Sequence, residues 1–180
     1  TPHVDDLGSV SCVHLIESQS SHSNSTQGPS YGEGMSTILD DLRSAVGNGA
    51  VLVDPDVTES YQRDMMPFAP AGRPLAVVLP STAQEVQAVV RSCAAAGVPI
   101  VPRGAGSGLS GAANAIDGCV VLALTRMNKI VEVDVDNRLA VVEPGVVNLD
   151  LRAAVEKHGL FYPPDPSSYD WCTIGGNLST

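Results

Sequence analysis

The chain has 180 residues, 43% of them hydrophobic, and its 20 acidic against 10 basic residues give a formal net charge of −10. That length suits one domain with a real core, while the acidic balance sets up a field that repels nucleic acid and anionic lipid. The longest apolar runs, such as CVVLAL at 119–124, are far too short to span a bilayer, so neither nucleic acid nor a transmembrane segment is expected.

Residues 1–35 contain the serine-rich stretch SQSSHSNSTQGPSYGEG, nearly free of aliphatic side chains, and read as a flexible tail. His3, His14 and His22 are spaced by 11 and 8, which puts them on no common helix face, and no metal site is assigned to them. No N-terminal stretch has the order of a signal peptide. From Ser36 the pattern sharpens. STILDDLRSAVG predicts a helix over 37–46 capped by Ser36 or Thr37, with Ile38, Leu42 and Ala45 or Val46 inward and Gly47 as the stop. A strand at 51–53 and a long ordered loop at 54–74 follow. Next comes a βαβ unit: strand 75–79, helix 83–96 and strand 98–101. Ser81 with Gln84 and Thr82 with Glu85 both have capping-box spacing; Val86, Val89, Val90 and Cys93 form the buried stripe, and Gly97 ends the helix.

The second strand of that unit runs into PRGAGSGLSGAA, where Gly104, Gly106, Gly108 and Gly111 fall within residues 102–113. Such density marks either a plain turn or a cradle in which N–H groups unobstructed by Cβ atoms face an anion. Gly106, Gly108 and Gly111 satisfy G-x-G-x-x-G, with Glu132 downstream as the acid of a nicotinamide-binding Rossmann fold. The context argues against that reading. Only AANAIDG separates Gly111 from the strand predicted at 120–124, too little chain for the crossover helix the motif must open.

Beyond that strand the period changes from helical to alternating. IVEVDV, a turn at Asp136-Asn137 and RLAVVEPGV predict a hairpin of strands 129–135 and 138–143, with Val131, Val133 and Val135 on one face and Glu132, Asp134 and Asp136 on the other. NLDLRAAVEKHG reads as a helix with Asn148 as N-cap, Leu151, Ala154 and Val155 inward, His158 as a partner for the helix dipole and Gly159 at the end. Four cysteines, Cys12, Cys93, Cys119 and Cys172, form no CxxC pair, and three lie in or beside apolar segments. They read as reduced thiols serving as small hydrophobes, in a cytoplasmic protein.

Four segments in order, PRGAGSGLSGAA, VEPGV, YPPDPSS and TIGGNLST, resemble the PCMH-type FAD-binding domain of the FAD-linked oxidases related to vanillyl-alcohol oxidase, in their glycolate oxidase and D-lactate dehydrogenase branch. The resemblance covers roughly residues 37–180. It implies an α+β fold, with a small βαβ subdomain plus an antiparallel sheet, and an incomplete FAD-binding domain over 36–180, its remainder and a substrate domain lying downstream.

By that resemblance the amides of Gly104, Ala105, Gly106, Ser107 and Gly108 wrap the FAD pyrophosphate, and Ala112 and Ala113 permit close approach. Arg103 braces the loop rather than lying on the phosphates. Pro144 and Gly145 lie on the adenine side, and Pro164, Asp165, Ser168, Thr173, Ile174, Gly175 and Gly176 line the ribityl and isoalloxazine part. The implied reaction oxidises a 2-hydroxy acid to a 2-oxo acid by hydride transfer to flavin N5, with a quinone, a partner protein or oxygen taking the electrons. Ser107 stands where relatives that tether flavin often carry histidine, so FAD is expected to be noncovalent. The catalytic base and the carboxylate-binding groups are expected beyond Thr180, leaving this chain inactive alone. The alternative is a non-catalytic FAD-binding or subunit-contact module.

Overall fold

The computed structural model describes residues 31–179, with side chains from residue 37 onward. Of the expected tail at 1–35, residues 1–30, with the three histidines and Cys12, lie outside the described residues, and residues 31–35 belong to a helix. Helix α1 spans Tyr31–Val46 and so begins ahead of the expected cap, which places Ser36 and Thr37 inside it. Gly32 and Gly34 obscure this start in the sequence, because glycine weakens a helix by about 1 kcal/mol without forbidding it.

Strands β1 (Val51–Leu52), β2 (Ala76–Val78), β3 (Ile100–Arg103) and β4 (Val120–Ala123) form one sheet in the order β1-β2-β4-β3. β2, β4 and β3 are mutually parallel and β1 is an antiparallel edge, so the sheet is mainly parallel as expected. β2 and β3 are not neighbours, because β4 inserts between them. β4 is buried on both faces, the physical reason its sequence is an uninterrupted apolar run. On one face, Ala76, Val78, Val120 and Leu122 pack against Ile38 and Leu42 of α1 and against Val89 and Cys93 of helix α3 (Ala83–Ala96). On the other, Val77, Val101, Val121 and Ala123 pack with Ala115 and Cys119 and with the partly buried Tyr61 and Leu79.

The expected loop at 54–74 contains structure of its own. Asp54 caps a short helix α2 (Pro55–Thr58), which continues as a 3₁₀ turn over Glu59–Tyr61. Proline at the first helical position and aspartate before it are the local start signals of this helix. α3 has the expected bounds, ended by Gly97 at φ 66°. Of its stripe, Val89 and Cys93 are buried, whereas Val90 lies at the margin and is 43% exposed.

A second sheet consists of β5 (Ile130–Asp134) and β6 (Leu139–Val142), antiparallel, with a bulge between Ile130 and Glu132. The bulge overturns the simple alternation. Val131 becomes the extra residue and is 62% exposed, while Ile130 and Val133, three apart, both face the third core cluster. Helix α4 (Asn148–Glu156) contributes Leu151 and Val155 to that cluster. Its N-cap is Val147, not Asn148; Asn148 is fully buried as the first helical residue and donates from Nδ2 to Pro164 O at 3.3 Å. The amide thus joins two segments instead of capping a helix. The final helix, α5 (Ile174–Ser179), sets Ile174 into the same cluster. Among the described residues no helix is long and apolar enough to cross a membrane.

At the start of α3, Thr82 Oγ1 accepts from Glu85 N at 3.2 Å, and Glu85 Oε2 accepts from both Ser81 N at 2.6 Å and Ser81 Oγ at 3.0 Å. Of the two spacings noted in the sequence, the Thr82–Glu85 one is used, with the carboxylate reaching one residue further back. The Ser81 amide holds the Glu85 carboxyl below its ordinary range. Thr82→Ala should destabilise the fold by about 1 kcal/mol in chemical denaturation. Because the folded-state pKa is depressed, the stabilisation from Glu85 is present above the ordinary value of 4.5 and fades as pH falls through the depressed one. Glu85→Gln should therefore be less stable than the parent at neutral pH, and the difference should shrink below that value, as read from melting temperature against pH.

Candidate functional site

The glycine loop leaves the sheet at the end of β3, where Arg103 is only 7% exposed. Gly106 has φ 85°, a conformation L side chains rarely adopt, and a Cβ there would collide with Arg103 Nη2. Arg103 reaches Ala113 O at 3.5 Å through Nη1 and lies 5.8 Å over the Tyr61 ring. Its guanidinium thus lies inside the loop, between Ala113 and Tyr61. Burial lowers its pKa, opposed by the charge of Asp64. Gly104 is required for a different reason: a Cβ there would run into the Thr173 hydroxyl. This one contact brings the loop and the TIGGN segment together.

Around that contact most of the expected site residues converge. Val147 and Thr173 form an isolated antiparallel bridge, Ile174 N donates to Val146 O at 2.8 Å, and Gly175 N donates to Pro144 O at 2.8 Å. Gly175 lies against Pro144, leaving 2.8 Å between the proline Cβ and any Cβ added to the glycine. Gly145 is held by the turn after β4, with its N–H on Met127 O at 2.7 Å. Thr173 is buried and stands beside Gly176 as well. The three stretches are therefore packed against one another, Gly104 on Thr173 and Gly175 on Pro144.

The remaining candidates sit elsewhere or differently. Asp165 is an exposed carboxylate paired with Arg152 at 2.8 Å, and Arg152 in turn stacks 5.2 Å from the Tyr169 ring. Pro164 is exposed beside α4, and Ser168 is the start of a turn whose carbonyl accepts from Cys172 N at 2.8 Å. The Ile174 side chain belongs to the core, which leaves only its main chain for a ligand. Ala112 is exposed and Ala113 half-buried, on the Arg103 side of the loop.

Two residues that the sequence reading passed over anchor the loop. Asn114 is 6% exposed and uses its whole amide: Oδ1 accepts from Asp64 N at 2.7 Å, and Nδ2 donates to Pro70 O at 3.1 Å and Ala69 O at 3.5 Å. Met65 N donates to Gly108 O at 2.9 Å, and Ala115 N to Gln62 O at 2.9 Å. Asp64 is 9% exposed, with Oδ1 on Met66 N and Oδ2 unpartnered. The available signal was an asparagine amid alanines in AANAI, a polar group in an apolar run.

Among the described residues, the amides of Ala105, Gly106, Ser107 and Gly108 donate to no other group of the chain. Consecutive uncommitted N–H groups over a buried guanidinium suit a ligand with negatively charged oxygens. Burial raises the pKa of Cys93 and Cys119, and Cys172 is 2% exposed, so these thiols serve as small hydrophobes.

Comparison with known proteins agrees with this geometry. Residues 74–180 match the family described as "FAD binding domain". The chain is 42% identical over 131 residues to the glycolate oxidase subunit GlcD of Bacillus subtilis, covering 73% of this chain and 26% of that protein. It is 42% identical over 144 residues to the D-2-hydroxyglutarate dehydrogenase of Stutzerimonas stutzeri, covering 79% of this chain and 31% of the other. A p-cresol methylhydroxylase crystal structure with substrate bound superposes with a TM-score of 0.64 at 32% identity, over 74% of this chain and 26% of that one. The chain thus spans about a quarter to a third of the length of these proteins. With its mixed sheet, its antiparallel hairpin and its glycine loop, it belongs to the FAD-linked oxidoreductase family built on the PCMH-type FAD-binding domain, whose cofactor is FAD.

Proposed function

We propose that this chain is the flavin-holding part, over residues 36–180, of an enzyme that oxidises a small 2-hydroxy acid of the glycolate or D-lactate kind. The observation that carries the reading is the row of uncommitted amides at Ala105–Gly108, directly after Gly104, which packs against Thr173. The substrate class is supported by the names of the relatives, an oxidase of glycolate and a dehydrogenase of D-2-hydroxyglutarate.

In this reading the main chain of Gly104, Ala105, Gly106, Ser107 and Gly108 holds the pyrophosphate, and Pro144 and Gly145 flank the adenine side. Thr173, Gly175 and Gly176 stand toward the flavin end, with Ile174 contributing backbone only. Asp165 is reassigned to the pair with Arg152, which fixes the proline-rich segment on α4. Bound FAD supplies the hydride acceptor for conversion of a 2-hydroxy acid to a 2-oxo acid, with electrons passing on to a quinone, a partner protein or oxygen. The chain's part is to exclude side chains from the phosphate-facing loop and to keep its amides oriented. None of its described residues is assigned as the base.

The test is flavin binding followed by chemistry. Purified protein should take up FAD with a flavin absorbance band, and the full-length enzyme should bleach on anaerobic addition of glycolate, D-lactate or D-2-hydroxyglutarate. Bound flavin that none of these reduces would favour a non-catalytic FAD module. Acid precipitation should release all the flavin into the supernatant, since Ser107 offers no imidazole and Cys172 is buried; colour kept in the pellet would disprove noncovalent attachment. Gly106→Val should weaken FAD binding by about tenfold or more. Gly47→Val provides the control, because Gly47 has φ 83° but no group of the chain within 4 Å of an added Cβ. It should cost stability and leave FAD affinity unchanged.

A further inference from the structure

Two buried charges of opposite sign stand behind the glycine loop, two residues apart along it. A side chain at Gly106 would point into the Arg103 guanidinium, and one at Gly108 would lie 3.5 Å from Asp64 Oδ2. Neither charge is a ligand group in the ordinary sense, since Arg103 is 7% and Asp64 9% exposed. They also do not neutralise each other by contact. Arg103 reaches Ala113 O and the Tyr61 ring, while Asp64 Oδ2 is buried without a hydrogen-bond donor. A carboxylate oxygen left unpartnered in a protein interior is costly, and the charge of Asp64 in turn favours the charged form of Arg103.

We propose that Arg103 and Asp64 together set how strongly the loop holds an anion: Arg103 draws negative oxygens onto the Gly106 end through the backbone, and Asp64 limits that attraction from behind Gly108. The inference rests on the reading of the loop as the FAD pyrophosphate site. Its consequence is a split between folding and binding. Without a ligand, Asp64 relieves the buried guanidinium and stabilises the chain. With a pyrophosphate present the same carboxylate opposes the ligand. Removing its charge therefore makes the empty protein less stable and the anion tighter, because the ligand then compensates a cation that nothing else does. Loss of packing alone would weaken both together.

The experiment compares the full chain with Asp64→Asn, Arg103→Met and the double variant. Melting temperature without ligand and affinities for FAD and for inorganic pyrophosphate are measured. Asp64→Asn keeps the shape and the acceptor for Met66 N. It should melt lower and bind both ligands roughly three- to tenfold more tightly, while Arg103→Met should bind both more weakly by a similar factor. If Asp64→Asn does not fold, the double variant replaces it, and it should bind more tightly than Arg103→Met. Equal or weaker binding on removal of the Asp64 charge, or unchanged binding in Arg103→Met, overturns the proposal. Failure of the parent chain to bind either ligand overturns instead the reading of the loop as a flavin site.

Discussion

The approach of Thr173 to the backbone of Gly104 is the constraint around which the rest of the molecule is arranged. It leaves no space for a side chain at 104 and brings the loop leaving β3 against the segment entering α5. From that point the bonds Ile174 N to Val146 O and Gly175 N to Pro144 O carry the order onward to the EPG turn. Three stretches distant in sequence are thereby packed together, and an added Cβ at Gly104 or Gly175 would collide with the neighbouring segment.

Glycine in this loop consequently has two separate causes. Gly104, Gly106 and Gly111 are dictated by the chain's own groups, the Thr173 hydroxyl, the Arg103 guanidinium and the Ala69 methyl. Gly108 meets only Asp64, at an ordinary distance. The structural demand for close packing and the chemical demand for exposed amides coincide in one segment, which is why density of glycine alone leaves a turn and a cradle indistinguishable.

What could be read from the sequence was what depends on neighbours along the chain. The bounds of α3 follow from a helical period, a threonine cap and a terminal glycine, all within a few residues of each other. The glycine loop was legible as a candidate site because four motifs fell in a known order. Long-range bonds were not. Asn114 and Asp64 are tied across 50 positions, and neither sits in a periodic segment. Asn148 illustrates the opposite failure: a polar residue before a helical pattern is an expected cap, yet here its amide is used inside the fold. The bulge at Val131 is invisible for a related reason, since one extra residue takes Val131 off the face that Val133 keeps without altering the alternating pattern.

The strand order β1-β2-β4-β3 also bears on how the chain assembles. The unit formed by β2, α3 and β3 cannot close its sheet by itself, because a space one strand wide, about 5 Å to either neighbour, must remain for β4. β4 arrives only after the chain has passed through the glycine loop and turned back at Asp117-Gly118, where Gly118 has φ 72°. β4 supplies the pairing partner for the inner edges of both β2 and β3, whose amides and carbonyls would otherwise be left unpaired. The glycine loop is thereby part of the crossover that carries the chain from the end of β3 back to the start of its parallel neighbour β4, so the segment read as a binding loop is also the connection on which the central strand's placement depends.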